Sequence, residues 1–147
     1  MIYPKIYLYK RIVQAKIFID NNFQKDIDVN EIAEEANFSK FHFIRLFNKA
    51  YGYTPKQYLI TKRIDFAKNL LRKNKSVTEV CYECGFSSIG SFSSLFKVRI
   101  GQSPSEFKIN YQNKILATNL TPQKFIPGCF IKNSNFQERK NNTLVEI

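Results

Sequence analysis

The stretch VTEVCYECGFSSIGSFSSLFKVRIGQSPSEF, residues 77–107, decides the fold because it repeats residues 29–58. At an offset of 48 positions, the residues that recur unchanged are Val29, Glu31, Phe38 and Ser39. At an offset of 49 positions, those that recur are Phe43, Leu46, Phe47, Gly52 and Pro55. A repeat this regular indicates one supersecondary unit that the chain uses twice.

Each repeat begins with residues that start a helix. Asp28 and Glu31 have the spacing of a capping box, and so do Ser76 and Glu79. A second helix follows in each repeat, with two Phe and one Leu at helical spacing on its inward face, and it ends at Gly52 or at the matching glycine of the second repeat. Two short helices with a tight turn, the second of them polar and basic, are typical of a helix-turn-helix.

Other helices complete the expected fold. An amphipathic helix spans residues 10–22, Ser39 is expected to cap the second helix of the first repeat, and Thr54-Pro55 opens a long linker helix. A last helix starts at Ser103-Pro104. The sequence therefore predicts an all-α, homeodomain-like fold of about seven helices, with tandem helix-turn-helix units joined by a linker helix. The expected divisions are an irregular N-terminal arm (1–9), the first unit (10–53), the linker helix (54–75), the second unit (76–112) and a tail (113–147) partly docked through Phe125, Ile126, Phe130 and Ile131.

The positive charge is concentrated in one part of the chain. The formal net charge is +11, and residues 38–75 hold ten Lys and Arg but only one acid, Asp65. The preceding residues 20–36 are acidic. This distribution suggests a face turned toward a polyanion. The alternative is a solvated, lysine-rich surface.

Composition excludes several classes of protein. A chain of 147 residues with 44% hydrophobic residues suits one domain, or two small ones that share a core. It holds no apolar run of the roughly 20 residues that a membrane span needs, and its start does not look like a signal peptide. Three cysteines are too few for a disulfide framework. We therefore expect a cytoplasmic protein.

The ordered motifs resemble the DNA-binding domain of the AraC/XylS family. The resemblance covers about residues 12–111. In the first half it rests on the run 38–47 with Gly52, Pro55, Tyr58, Arg63, Ala67, Leu70 and Leu71, and in the second half on residues 85–88 with Phe92, Leu95, Phe96, Lys97, Gly101, Ser103, Pro104 and Phe107.

The resemblance implies a bacterial transcription regulator that lays the second helix of each unit in a major groove on one face of the DNA. Such grooves recur about every 34 Å, a separation that a rigid linker helix can hold. Because few residues precede the first helix, the chain resembles the short, stand-alone members that lack an effector-binding or dimerisation domain. We expect an activator that touches RNA polymerase and acts as a monomer or weak dimer.

The first unit carries most of the expected base readout. We expect Lys40, Phe41, Ile44 and Arg45 to face the bases, with Arg45 foremost because a guanidinium matches guanine O6 and N7. Phe41 and Ile44 are apolar on the outside of a basic helix. They would contact thymine methyl groups, or else pack against Tyr3, Tyr7 or the tail.

The second unit carries weaker readout. Its outward side chains are small, with Ser91 and Ser94 as the base candidates, so we expect this unit to add affinity and shape readout. The candidates for phosphate contacts in the two units are Ser39, His42, Lys49, Lys56, Ser87, Ser88, Ser93, Lys97 and Arg99.

Other interpretations of the sequence concern its cysteines, and they are weaker. Cys81 and Cys84 have the spacing of a redox or metal pair, but the repeat aligns them with Ala33 and Ala36, which favours small residues packed where helices cross. A Cys₃His zinc site with Cys129 and His42 is conceivable, and so is a thiol sensor. Because the repeat favours the packing role for these cysteines, we expect no cofactor and no metal.

An enzyme is not supported, because one histidine and no nucleophile in an activating setting leave little for catalysis. The serious alternative to a DNA-binding regulator is a protein–protein adaptor with only non-specific DNA affinity. It would present Phe41, Ile44 and the tail to a partner. The acids Asp26, Glu34 and Glu35 are either a polymerase contact or solvated capping residues.

Overall fold

The computed structural model describes residues 3–127 of the chain. The predicted docking of the tail through Phe130 and Ile131, and the cysteine at position 129, lie outside the described residues. The side chain of Phe125 is likewise not described.

Seven α-helices account for most of the described residues. They are α1 (Tyr3–Asn22), α2 (Val29–Glu35), α3 (Lys40–Tyr51), α4 (Pro55–Arg72), α5 (Val77–Glu83), α6 (Ile89–Ile100) and α7 (Pro104–Leu120), followed by a 3₁₀ turn at Pro122–Phe125. Residues 3–127 contain no strand. The all-α prediction of about seven helices is confirmed, with α2–α3 and α5–α6 as the two helix-turn-helix units and α4 as the linker.

Reciprocal hydrogen bonds at the helix starts explain why these segments are helical. The Glu31 amide donates to Asp28 Oδ1 at 2.9 Å, and the Asp28 amide donates to Glu31 Oε2 at 3.0 Å. The same pairing opens α4 at Thr54 and α5 at Ser76. Each bond satisfies an amide that the helix itself leaves unpaired. The capping boxes predicted at Asp28 and Ser76 are confirmed, and Thr54 forms a third with Gln57.

One predicted cap has the expected position but not the expected hydrogen bond. Ser39 is the residue before α3, but its side chain makes no capping hydrogen bond, whereas Ser88 before α6 accepts one from the Ser91 amide at 3.2 Å. Both serines have extended backbones, with ψ of 147° at Ser39 and 142° at Ser88. They differ in φ, which is −66° at Ser39 and −141° at Ser88. The two units thus start their second helices differently.

Two hydrophobic cores share the linker helix. The first core lies among α1, α2, α3 and the start of α4, and the second among the rest of α4, α5 and α6. Phe43 and Phe47 are fully buried in the first core, and their repeats Phe92 and Phe96 are fully buried in the second. Burial of each such ring stabilises the fold by about 1.5–3 kcal/mol. Since α4 contributes to both cores, neither core is complete without it.

Two segments predicted to be irregular are helical. Residues 3–9, predicted as an arm, are the first turns of α1, and residues 113–120, predicted as tail, are the last turns of α7. Both were missed because their apolar side chains do not form one buried stripe: Ile6, Tyr7 and Tyr9 are exposed, and Ile115, Leu116 and Leu120 are exposed too. Proline near the start of α1 suits a helical first turn, and α7 ends just before Pro122.

The chain divides into two compact parts after Ile109. The first part contains α1 to α6 and the start of α7, and therefore both helix-turn-helix units. No helix in the described range is both long and apolar enough to cross a membrane.

Candidate nucleic-acid interface

The outward face of α3 carries side chains suited to base edges. Phe43 and Phe47 anchor the helix in the core, and Lys40, Phe41 and Arg45 are exposed on the other side. Phe41 exposes 78% of its surface, which excludes close packing against Tyr7 of α1. An exposed aromatic ring beside cationic side chains is a suitable contact for thymine methyl groups.

His42 is also exposed, and its ring meets the Phe38 ring edge to face, with centroids 5.4 Å apart. This contact limits the positions that the imidazole can take at the start of α3. A contact between His42 and a phosphate next to the turn of the first unit stays a prediction.

Ile44 and Ser93 are less exposed than the other residues predicted to contact DNA. Both are half-buried, and they are the same position of the repeat, one residue after Phe43 and Phe92. Ile44 lines a groove of about 530 Å³ between α3 and the starts of α2 and α4, together with Ile27, Leu59 and Ile60. This apolar groove suits an isoleucine at position 44 without a base contact. A base-contacting role for Ile44 stays a prediction, and its position at the edge of the face weakens it.

Lys40 and Lys56 converge on the same groove, although they belong to α3 and α4. Ser39, whose hydroxyl makes no capping bond, is adjacent to Lys40. An uncapped helix start leaves amide N–H groups for an external acceptor. The turn of the first unit therefore combines cationic side chains, a hydroxyl and helix amides, which together suit a phosphate oxygen.

Apart from Ile89, the residues exposed in the first turns of α6 are small. Ile89, Gly90, Ser91 and Ser94 are exposed, and a side chain at Gly90 would meet open space. The Ser88 hydroxyl also donates to the Ser91 hydroxyl at 2.9 Å, so these two predicted DNA contacts are already bonded to one another. The remaining predicted phosphate residues of this unit, Ser87, Lys97 and Arg99, are exposed.

The basic side chains divide into paired and unpaired sets. Lys62 donates to Asp20 Oδ1 at 2.9 Å, Lys68 lies 3.5 Å from Asp65 Oδ1, and Lys75 pairs with Glu83. In contrast, within residues 3–127 no carboxylate lies within ion-pair distance of the following bases: Lys40, Arg45, Lys49, Lys56, Lys97 and Arg99. Lys62 and Lys68 of α4 are therefore neutralised, whereas the lysines and arginines predicted to contact DNA are not.

Asp20 is the centre of the paired set. Tyr58 donates its hydroxyl to Asp20 Oδ1 at 2.6 Å, and Lys16 lies 3.5 Å from the other carboxylate oxygen. Partial burial raises the pKa of Asp20, but the hydrogen bonds from Tyr58 and Lys62 and the two lysine charges outweigh it, so the pKa is lowered overall. This cluster joins α1 to α4 and is structural.

Arg63 is structural as well. Its Nε donates to the Phe23 carbonyl at 2.7 Å and its Nη2 to the Lys25 carbonyl at 2.8 Å. Both acceptors belong to the backbone just beyond the end of α1, so Arg63 joins α4 to that segment. Desolvation lowers the pKa of Arg63.

Cys81 and Cys84 are buried at the crossing of α5, as Ala33 and Ala36 are at the crossing of α2. Burial raises the pKa of both thiols, that of Cys84 to about 12. Both are therefore protonated and unreactive at neutral pH. Within residues 3–127, no three metal-ligating side chains converge. A zinc site that includes Cys129 lies outside the described residues.

Sequence reasoning missed the role of Gly85, which the structure holds against the backbone after α1. Gly85 has φ +84°, and its counterpart in the first unit, Asn37, has φ +54°. Asparagine is one of the few residues besides glycine that tolerates the left-handed conformation. The pairing of Asn37 with Gly85 in the repeat was the available signal for this turn.

The fold and the exposed basic face define a class of protein, the tandem helix-turn-helix DNA-binding proteins. A family described as a helix-turn-helix domain matches residues 32–109. LumQ of Photobacterium leiognathi, which bears the name probable transcriptional regulator, is 38% identical over 92 residues. The transcriptional activator RhaS of Escherichia coli is 32% identical over 92 residues. Each match covers 62% of this chain, which spans only 37% of LumQ and 33% of RhaS.

Among solved structures, the DNA-binding domain of the transcriptional factor AdpA in complex with a target DNA is similar, with a TM-score of 0.68 and 30% identity. The match covers 70% of this chain and 94% of that domain. An AraC-type DNA-binding protein from Chromobacterium violaceum has a TM-score of 0.63 at 26% identity, over 70% of this chain and 93% of that one. The chain belongs to the AraC-type family of helix-turn-helix transcription regulators.

Proposed function

We propose that the chain regulates transcription by binding DNA sequence-specifically, with α3 and α6 in successive major grooves on one face. The observation that carries this proposal is the segregation of the basic side chains. On α4, Lys62 and Lys68 are paired with carboxylates. The bases predicted to contact DNA, on α3, on α6 and at Lys56 in the first turn of α4, are exposed and have no carboxylate partner within residues 3–127. Unpaired, exposed cations beside a polar helix face are the electrostatic footprint of a DNA-binding surface. The likeness to the AdpA domain, solved with its target DNA, supports the same reading.

In this proposal α3 supplies most of the sequence readout. Arg45 would bond to guanine, while Lys40 and Phe41 contact neighbouring bases, because these exposed side chains share one helix face. Ser91 and Ser94 of α6 have short side chains that discriminate poorly between bases. The second unit would therefore add affinity, through Lys97, Arg99 and the polar start of α6.

Titration with salt tests the proposal against the adaptor alternative. Counterion release predicts a slope of log K against log salt concentration of about −0.9 for each phosphate neutralised. We expect Lys56→Ala to make the slope shallower by about one. The matched control Lys68→Ala should leave the slope unchanged, because Lys68 is paired with Asp65 on the same helix. A slope near zero for the unaltered protein would contradict DNA binding. Equal affinities for a selected site and for random DNA would favour the adaptor, whose DNA affinity is only non-specific.

The sign of regulation is a further part of the proposal. The related protein RhaS is named an activator, and the acids Asp26, Glu34 and Glu35 are exposed on the first unit. An exposed acidic surface suits a basic partner such as a subunit of RNA polymerase. We propose activation through that contact by a monomer or weak dimer in the bacterial cytoplasm, where the chromosome lies. Abortive-initiation assays with Glu34→Lys would test this, since an activator should lose activation while it keeps DNA affinity.

A further inference from the structure

The loop after α1 contacts both helix-turn-helix units. This connecting loop comprises residues 23–27. The Phe23 ring meets the Phe66 ring of α4 edge to face, with centroids 5.3 Å apart. Phe23 packs against the first core and Phe66 against the second. In addition, Gln24 Nε2 donates to the carbonyl of Glu83 at the end of α5, at 3.1 Å. The units are therefore joined by a tertiary contact as well as by α4.

Arg63 fixes the backbone of the connecting loop. It is half-buried on α4, and its guanidinium donates to two carbonyls of the loop, Phe23 O at 2.7 Å and Lys25 O at 2.8 Å. Its guanidinium carbon also lies 5.5 Å from the centre of the Phe86 ring in the turn of the second unit. A planar fork that bonds two acceptors and stacks on a ring cannot be replaced by a single-point donor. Arg63 therefore ties the loop to the second unit.

Gly85 gives the loop its place on the second unit. A Cβ at this position would lie 2.8 Å from the Gln24 carbonyl oxygen and 2.9 Å from that of Phe23. Both atoms belong to the backbone, so no side-chain rotation could relieve the clash. Gly101 has nearly the same φ, +85°, but its Cβ would meet open space. The requirement at Gly85 therefore includes close approach of the loop as well as backbone conformation.

We propose that Arg63 and Gly85 lock the connecting loop between the units and thereby set the spacing of DNA half-sites that the protein accepts. The inference rests on the proposed function and deepens it. A linker helix attached at its two ends can bend or roll, and the loop contact closes a second connection beside it. With both in place, α3 and α6 are held in one relative position. Inserting one base pair between half-sites shifts them by about 3.4 Å and about a tenth of a turn, which a locked protein cannot follow.

The test measures how affinity depends on half-site spacing. A duplex obtained by selection from random DNA is compared with duplexes in which one base pair has been inserted or removed between its two boxes. For the unaltered protein we expect a loss of about tenfold or more for either change, a difference of about 1.4 kcal/mol. The readout is the ratio of the affinity for the selected duplex to the affinity for the duplex with altered spacing. We expect Arg63→Gln and Gly85→Ala each to reduce this ratio to about threefold or less. Because the readout is a ratio, a uniform loss of affinity from the altered charge cancels.

The controls separate spacing from folding and from the proposed function. Gly101→Ala introduces similar backbone strain without the clash and should keep the tenfold ratio. If Gly85→Ala does not fold by circular dichroism, Gln24→Ala combined with Arg63→Gln replaces it. Variants that fold and keep the ratio of the unaltered protein would overturn this inference and leave the proposed function standing. If the unaltered protein selects no two-box site, both are overturned.

Discussion

At the scale of the residue, the exposed face of α3 should determine which sequence is bound. Arg45→Ala should cost about 1–3 kcal/mol of binding free energy and relax the preference at one base pair, because a bidentate guanine contact is lost. Ser94→Ala on α6 should cost less than about 1 kcal/mol, equally for all sequences. Affinities for a panel of single-base variants of the site check both expectations. Equal loss of specificity in the two variants would contradict the asymmetry between the units.

Asp20 should link stability to pH. Its pKa is lowered in the fold, so its contribution is present above its unfolded pKa of about 3.9 and is lost as the pH falls through the folded value. We expect Asp20→Asn to lower the free energy of unfolding by about 1 kcal/mol at pH 7. The difference from the unaltered protein should vanish at pH values below the folded pKa of Asp20.

Urea denaturation across pH measures this effect, with Asp65→Asn as the matched control. Asp65 is more exposed than Asp20 and forms a surface pair with Lys68 three residues along α4, so its removal should change stability by less than about 0.5 kcal/mol. A pH-independent effect of Asp20→Asn would mean that the carboxylate charge is not what the site requires.

Some residue roles followed from the sequence, and others could not. The thiols at positions 81 and 84 were assigned to packing because the internal repeat supplied alanines for comparison, and both are buried. The close contact of Gly85 with the Gln24 carbonyl joins backbone about 60 positions apart in the chain. No local pattern encodes such a contact, because it depends on where the first unit lies once both cores have formed.

At the scale of the element, the two helix-turn-helix units differ at one cap. The Ser88 hydroxyl accepts from the Ser91 amide, whereas Ser39 makes no capping bond. We expect Ser88→Ala to lower the free energy of unfolding by about 1 kcal/mol, the ordinary value of an N-cap, and Ser39→Ala to lower it by less than about 0.5 kcal/mol. If Ser39 binds phosphate, its substitution should instead weaken DNA binding.

Chemical denaturation and DNA titration of the same two variants distinguish these roles. Ser39 and Ser88 each immediately precede the second helix of a unit, so each variant serves as the control for the other. Equal losses of stability would mean that Ser39 caps α3 in solution.

The elements themselves were largely predictable. Capping boxes and the repeated Phe spacing located α2 to α6, because those helices bury a single stripe and have strong start signals. The ends of the chain were not predictable in the same way. The first turns of α1 and the last turns of α7 expose their apolar side chains, so periodicity gave no signal, although helix formers such as Leu and Ala are present there.

At the scale of the whole molecule, the central feature is that one helix belongs to two cores. Tyr58 and Leu59 of α4 lie in the first core, and Leu70 and Leu71 lie in the second. The linker is therefore an integral part of both units. The linker helix and the loop that follows α1 together hold α3 and α6 on one framework. Binding to two boxes of DNA requires such a framework.

The most direct measurement of the central claim is binding-site selection from random DNA. The tandem arrangement predicts an enriched site of two short boxes about one helical turn apart, roughly 10 base pairs. The box bound by α3 should show the sharper preference. A single enriched box, or no enriched site in DNA that is bound only weakly, would contradict the claim that both units read sequence together.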